Sequence, residues 1–288
     1  MSTVFRGERD FYAILKKAQR ENWAALPIGD RIVRVGRELH GRPYEGFTLE
    51  IHDRIESPSV NLKGLDCWTF FEICLGFARM LGWKRPDYSP KNLLREIEFT
   101  RYRAGVCHGN YLDRIHYLAE WFFENEARGV AQDITRELGG ARRAPGRKIQ
   151  EMTILWKSYR YLKKNPSLRT PMAKHERDIA KLPVYFIPKT KVAKIEHKLR
   201  NGDIAGIVTH NDGGFCSHVG LITRTGDGKA LFFHASRDYR KVVIDKTISG
   251  YLHKYKKHAG VIIARPWEVT RTVQDRNLYH RNLKKLGG

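Results

Sequence analysis

The sequence predicts an α+β domain in which N-terminal helices pack on a C-terminal antiparallel β-sheet, and two observations carry that expectation. In the first half, apolar residues recur at helical spacing: Ile28, Ile32, Val35 and Leu39 fall at offsets of four, seven and eleven, the stripe of one helix face. The final third changes period. "DIAGIVTH", "SHVGLITR", "ALFFHAS", "KVVID" and "GVIIARP" are short β-branched runs separated by Gly, Asp and Lys turns, as antiparallel strands are. Helices first and strands later is the order of an α+β domain. The 288 residues suffice for one large core or two small ones.

Taken in chain order, residues 1–27 read as an N-terminal helical extension, with Phe11, Ile14 and Leu15 forming a short amphipathic turn. Pro27 near the start and the Gly41-Arg42-Pro43 break at the end punctuate the helix over 28–39. Residues 43–64 hold turn formers and one short extended piece, "GFTLEI". A strongly apolar helix follows from about Cys67 to Leu81, ending at Gly82 with Pro86 beyond. "LLREIEFTRYRAG" and "DRIHYLAEWFFENEARG" give two further elements, the second a helix with Ile115, Leu118, Trp121 and Phe122 as its apolar positions. Between 139 and 181 the chain becomes basic and turn-rich around one helix-like patch, "MTILWKSYRYL", and reads as a surface insertion. A single domain is expected over 28–267, with a basic C-terminal tail over 268–288.

Charge narrows the partners less than it first promises. Lys and Arg number 53 against 31 Asp and Glu, a formal net charge of +22. Such a surface attracts polyanions (nucleic acid, anionic lipid, acidic wall polymer) through long-range forces that salt weakens. The basic residues are spread along the whole chain. Neither zinc-ligand spacing nor an aromatic RNA-binding strand accompanies them, so no specific nucleic-acid motif is read. No apolar run is long enough to span a membrane. The opening residues, "MSTVFRGERDFYAILKK", lack the apolar core of a signal peptide. The expected compartment is therefore cytoplasmic as written, and periplasmic or extracellular if a leader was removed. Four cysteines (Cys67, Cys74, Cys107 and Cys216) are too few and too scattered for a disulfide scaffold, so free thiols are expected.

One cysteine stands apart. In "GLDCWTFFE", Asp66 fits the N-cap of the apolar helix, its carboxylate accepting from the amides of Trp68 or Thr69. Cys67 then sits at the positive end of the helix dipole, a setting that lowers a thiol pKa and frees the thiolate. Asp66 opposes this by charge, so activation needs a nearby imidazole. "SHVGLITRTGDGKALFFHAS" supplies two. In an antiparallel hairpin with an odd-numbered loop, opposed positions have an even sum, and 218 + 234 = 452 is even. His218 and His234 therefore project from the same face, and a Cys67–His218–His234 constellation is available, with His218 as base and His234 orienting it. Three alternatives stand beside it. Cys67 is a packed core thiol, the histidines are strand-end polar plugs, or they belong to a metal site, for which no usual zinc spacing exists. Cys74 reads as core. Cys216, two residues before His218, is the one rival nucleophile, but it lacks the helix-start setting.

At this point the motifs resemble a family. "GRPYEG", "GLDCWTFFE" and "SHVGLITR…LFFHAS", with Arg101-Tyr102-Arg103, Arg114-Ile115-His116-Tyr117 and Gly202-Asp203 in order between them, resemble the NlpC-type, papain-like cysteine peptidases and amidases of bacterial cell walls. The likeness runs from about 28 to 267 and is nearest the N-acetylmuramoyl-L-alanine amidase-like branch. It implies a papain-like catalytic domain with Cys67 as nucleophile, His218 as general base and acid, and His234 as the orienting third member. It further implies Tyr44 beside the nucleophile, supporting an oxyanion site with the Cys67 amide, and no cofactor. Trp68 departs from the small polar residue expected after the cysteine and narrows the cleft. Arg101, Arg103, Arg114 and His116 are read either as binders of a sugar or peptide carboxylate or as an Arg–Tyr brace between helix and sheet.

The implied substrate is a peptidoglycan fragment (muropeptide), cut between N-acetylmuramic acid and L-alanine. A cysteine endopeptidase or acyltransferase acting on the stem peptide is the alternative on the same fold. A catalytically silent polyanion-binding protein is the alternative from another class, against which the presence of all three site residues argues.

Overall fold

The computed structural model describes residues 4–50, 54–83, 87–139, 141–144, 148–210 and 213–269. The first half is helical. A short strand β1 (Phe5–Arg6) leads into α1 (Glu8–Arg20) and α2 (Ile28–Leu39); after β2 (Val60–Asn61), parallel to β1, come α3 (Cys67–Gly82), α4 (Pro90–Arg101) and α5 (Leu118–Ala127). The middle holds β3 (Ala131–Asp133), β4 (Arg142–Arg143), α6 (Glu151–Ile154), α7 (Arg160–Lys164) and α8 (Arg169–Ile179). The last third is mostly sheet: β5 (Tyr185–Pro188), α9 (Lys189–Val192), β6 (Ile204–Thr209), β7 (Cys216–Arg224), β8 (Ala230–Ser236), β9 (Lys241–Thr247), α10 (Ile248–His253) and β10 (His258–Pro266). The strands lie in the order β4-β5-β10-β6-β7-β8-β9, with β3 also on β10, and every pairing in this sheet is antiparallel. The α+β architecture expected from the sequence is the one observed.

Strand alternation splits the core in two. Val219, Leu221, Phe233 and Ala235 face the larger core with Ile32, Val35, Phe70 and Ile73 of α2 and α3. Ile222, Ala230 and Phe232 face a smaller core closed by Ile248, Tyr251 and Leu252 of α10 and Val192 of α9. The apolar helix α3 is buried almost all round, as a helix between a sheet and other helices must be.

Several elements differ from the sequence reading. The expected N-terminal extension is a full helix packed into the larger core, because Ala18 completes the stripe begun by Phe11, Ile14 and Leu15. Residues 46–49 of "GFTLEI" form a turn rather than an extended piece, since Thr48 is tied to Asp66 and Thr69 and pulls the segment over the tip of α3. Helix α5 starts at Leu118, leaving Ile115 in the approach to it. The patch "MTILWKSYRYL" breaks into α6, a 3-10 turn and α7. Of the tail over 268–288, Glu268 pairs with Arg31 at 2.5 Å; residues from 270 lie outside the described residues.

Arg101 shows how the helical layer is pinned. Its guanidinium is fully buried, bonded to Glu72 of α3 at 2.7 Å and to the Ser59 carbonyl at 3.1 Å. Breaking a buried pair from one side leaves an uncompensated charge. Arg101→Met should therefore cost about 3–5 kcal/mol in urea unfolding, and adding Glu72→Leu should recover most of it.

Candidate active site

Asp66 and Thr69 decide where α3 begins. Asp66 Oδ1 accepts from the Thr69 amide at 2.7 Å, and Thr69 Oγ1 accepts from the Asp66 amide at 3.0 Å, a reciprocal capping box. Cys67 is thereby the first helical residue, half-buried, with the amides of Cys67 and Trp68 turned toward its sulfur. The amide of Val219 points there too. It is available because the pairing of β7 with β8 ends at Leu221–Phe233, and the helix tip meets the sheet where the strands part.

The same hairpin presents the imidazoles. Its register sums to 454, so His218 and His234 lie diagonally on one face, and His218 Nε2 is 2.7 Å from His234 Nδ1. This leaves Nδ1 as the free nitrogen of His218. A Cβ at position 220 would lie 2.8 Å from His234 Cβ and 2.7 Å from Phe232, so Gly220 gives the pair its room. Tyr251 packs against both rings, at 6.1 Å from His218 and 5.1 Å from His234.

Cys67, His218, Val219, Tyr44 and Trp68 line one cleft of about 720 Å³. Tyr44 is held by its amide to the Arg240 carbonyl at 2.8 Å and by a bridge to Leu65. The segment 139–181 is more than a surface insertion: Glu151, Met152 and Tyr159 form a wall of the cleft, and Tyr161, Leu162, Met172 and Ile179 enter the larger core. Buried Glu176 of α8 clips this wall to the start of α5, accepting from the Met152 amide at 2.9 Å and the Tyr117 hydroxyl at 2.5 Å. A wider groove of about 940 Å³, lined by Asp30, Asn201 and Arg265 among others, contains none of these groups.

The protonation states correct one expectation. Burial pushes the Cys67 thiol up to about 12, Asp66 adds to the rise, and the amides of Val219, Cys67 and Trp68 offset only part of it. The helix-tip amides lower this thiol, but burial and Asp66 outweigh them. Burial holds His218 well below its ordinary value, helped by His234, and brings His234 down to about 3, helped by Lys254. Tyr44 is raised to about 12 by burial, with Cys67 and Asp66 contributing, so its hydroxyl is a donor at neutral pH. At rest, a protonated thiol and a neutral imidazole line the same cleft.

Comparison with known proteins fixes the family. The profile of the AmiA-like family, described as N-acetylmuramoyl-L-alanine amidase-like, matches residues 34–261. The chain belongs to the N-acetylmuramoyl-L-alanine amidase-like family. A crystal structure of an N-acetylmuramoyl-L-alanine amidase from Bacteroides uniformis is similar to it at 28% identity, with a TM-score of 0.74 over 83% of this chain and 99% of that one. A Legionella pneumophila protein shares the fold at 20% identity and a TM-score of 0.67, over 88% of this chain and 93% of that one. Among curated proteins, none matches.

Within this amidase-like chain the four residues of the Arg and His motifs part ways. Arg101 and Arg103 do not line the cleft; Arg103 is held by Glu120 at 2.5 Å. Arg114 lines it but is buried, 3.3 Å from Glu50 and 3.8 Å from Glu56, and stacks on Tyr111. His116 lines it with Nε2 donating to the Tyr111 carbonyl at 2.9 Å, and burial, reinforced by Arg114, holds the ring neutral. Sequence reasoning missed Glu50, Glu56 and Glu176, whose only signal was being acidic in a basic chain. Cys216 lines the cleft, and Cys74 is core. Among the described residues, no three His, Cys, Asp or Glu converge as metal ligands do, and no helix is long and apolar enough to cross a membrane.

Removing the charge beside the thiol should ease its ionisation. Asp66→Asn keeps an N-cap acceptor and takes away a group that raises Cys67. The pH midpoint for iodoacetamide labelling of the Cys67 peptide, read by mass spectrometry, should therefore move down.

Proposed function

We propose that this amidase-like chain is a papain-like, NlpC-type cysteine hydrolase of peptidoglycan fragments, cutting the amide between N-acetylmuramic acid and L-alanine. The observation that carries the reading is one cleft lined by a helix-tip thiol and by an imidazole that is itself held by a second imidazole at 2.7 Å. The neutral resting pair sets the route. As the Cys67 sulfur attacks the lactyl carbonyl, its proton passes to His218 Nδ1, and the carbonyl oxygen takes the negative charge. The Cys67 amide and the Tyr44 hydroxyl are the donors to that oxygen. The tetrahedral adduct collapses, His218 returns the proton to the alanine nitrogen, and the stem peptide leaves with a free amine. Water, deprotonated by His218, then releases the muramic acid carboxylate and restores the thiol. His234 keeps His218 in the orientation that leaves Nδ1 toward the cleft. Trp68 on one side and the Glu151–Tyr159 wall on the other narrow the approach, which favours short soluble fragments over intact polymer.

Purified protein incubated with defined muropeptides should yield N-acetylmuramic acid carrying its own carboxylate and an intact stem peptide. A shortened peptide still attached to the sugar would instead make the protein an endopeptidase. Transfer of the acyl group to an added amine would make it an acyltransferase. Cys67→Ala should lose turnover by at least about 10³-fold, and Cys216→Ala should keep it. No turnover by folded wild-type protein would leave a silent binder.

A further inference from the structure

The His218–His234 row does not stop at His234. Beyond it lies β9, which opposes His234 with Val243. The register of β8 on β9 slips between Leu231 and Phe233, so that Asp245 and Lys246 together stand where β8 has only Phe232. This is a bulge, the device by which a strand re-aims a side chain. Asp245 Oδ1 accepts from the Lys246 amide at 2.8 Å, closing the bulge. Its other oxygen, Oδ2, is turned inward, 3.7 Å from His234 Nε2. Both atoms are buried, and neither has a hydrogen-bond partner. A buried ring nitrogen and a buried carboxylate oxygen left near each other need an account. Lys254 Nζ, at 3.9 Å, also approaches Oδ2 from α10, and Tyr251 packs alongside.

We propose that Asp245 is a positioning residue of this site, accepting from His234 Nε2–H and thereby fixing the direction of every proton in the row. The proposal rests on the reading of Cys67 as nucleophile and His218 as base. The argument is tautomeric. To accept the thiol proton, His218 must have a bare Nδ1, so its own proton sits on Nε2. That proton is donated to His234 Nδ1, which must be bare, so the His234 proton sits on Nε2. An acceptor beyond Nε2 favours this arrangement, and Asp245 Oδ2 is a carboxylate oxygen within 3.7 Å of that nitrogen. With the opposite His234 tautomer, Nδ1–H would donate to His218 Nε2 and put the His218 proton on Nδ1, leaving that nitrogen unable to accept. When His218 takes the thiol proton it becomes an imidazolium, and the carboxylate two rings away opposes the cost of that buried charge. No proton leaves His234. The gap to Oδ2 then needs to close by roughly 0.7 Å to make an ordinary hydrogen bond.

The test reads the tautomer directly. Long-range 1H–15N spectra of 15N-labelled wild-type protein should show His234 protonated at Nε2 and bare at Nδ1, and His218 the same. The reverse pattern in the wild type overturns the proposal without any variant. Asp245→Asn offers an NH2 to Nε2 and should shift the His234 proton to Nδ1. With folding checked by thermal unfolding, kcat on muropeptides should then fall by up to about 10⁴-fold with KM little changed. Asp245→Glu should regain part of the loss. If Asp245→Asn leaves both the His234 tautomer and kcat as in wild type while Cys67→Ala is inert, Asp245 has no such role and the hydrolase reading stands. If Cys67→Ala stays active, the hydrolase reading fails, and the spectra still decide the tautomer.

Discussion

The site is indexed to the capping box of Asp66 and Thr69. A helix slides along its own axis in about 1.5 Å steps per residue, and a slip of one residue would also swing the Cys67 side chain about 100° around the axis. Two reciprocal hydrogen bonds prevent this, and Thr48 adds contacts to both partners, at 3.3 Å and 3.1 Å, that bring the turn over 46–49 onto the helix tip. The box thus fixes the sulfur, the Cys67 amide and the roof of the cleft together. It does so with a carboxylate, and that carboxylate helps raise the thiol it positions. In the proposed mechanism, placement and activation are separate tasks: α3 performs the first, and the β7–β8 hairpin has to supply the second.

That division explains what could be read from the sequence. Period and parity are hard geometric rules, so the α2 stripe, the five late strands and the shared face of His218 and His234 were all legible. The parity argument held because the loop over 225–229 is odd, although the pairing sum is 454 and the rings are diagonal rather than opposed. Asp245 was illegible, because a bulge adds a residue to one strand and any count across it fails. The thiol was misjudged for a reason of magnitude. A helix terminus is worth about 0.3–2 kcal/mol to a nearby charge, whereas taking an anion out of water costs several. Burial depends on what lies across the cleft, and the 139–181 segment gave no hint that it would be part of that.

The arginines teach the same lesson about charge. Arg79, Arg101, Arg114 and Arg128 are all buried, and each has a carboxylate from a distant or neighbouring turn: Glu96, Glu72, Glu50 with Glu56, and Glu124. The motif arginines that looked like candidates for binding an anion are thus largely committed to holding helices and loops around the cleft floor. Acidic residues spent inside cannot balance the outside. Among the described residues, most of the remaining basic side chains are therefore solvent-facing, where their charge acts at a distance and weakens with salt. Net charge governs long-range encounter with anionic partners in general; it says little about what the cleft accepts.

In the proposed mechanism, the groups that keep the thiol protonated cost the transition state less than they cost the free thiolate. A free thiolate would sit between Asp66 and a desolvated pocket, so the anion is most costly while it is on sulfur. As the carbon–sulfur bond forms, the negative charge moves to the carbonyl oxygen, away from sulfur and toward the Cys67 amide and the protonated Tyr44 hydroxyl. The repulsion from Asp66 weakens along the same coordinate on which the oxyanion donors strengthen. An interaction that disfavours the ionised ground state more than the transition state raises the barrier less than a static thiol pKa implies. The imidazolium formed at the same moment is the remaining buried charge, and it sits at one end of a row of rings rather than alone. A thiol near 12 is therefore compatible with a working nucleophile, provided the proton moves with the attack and not before it.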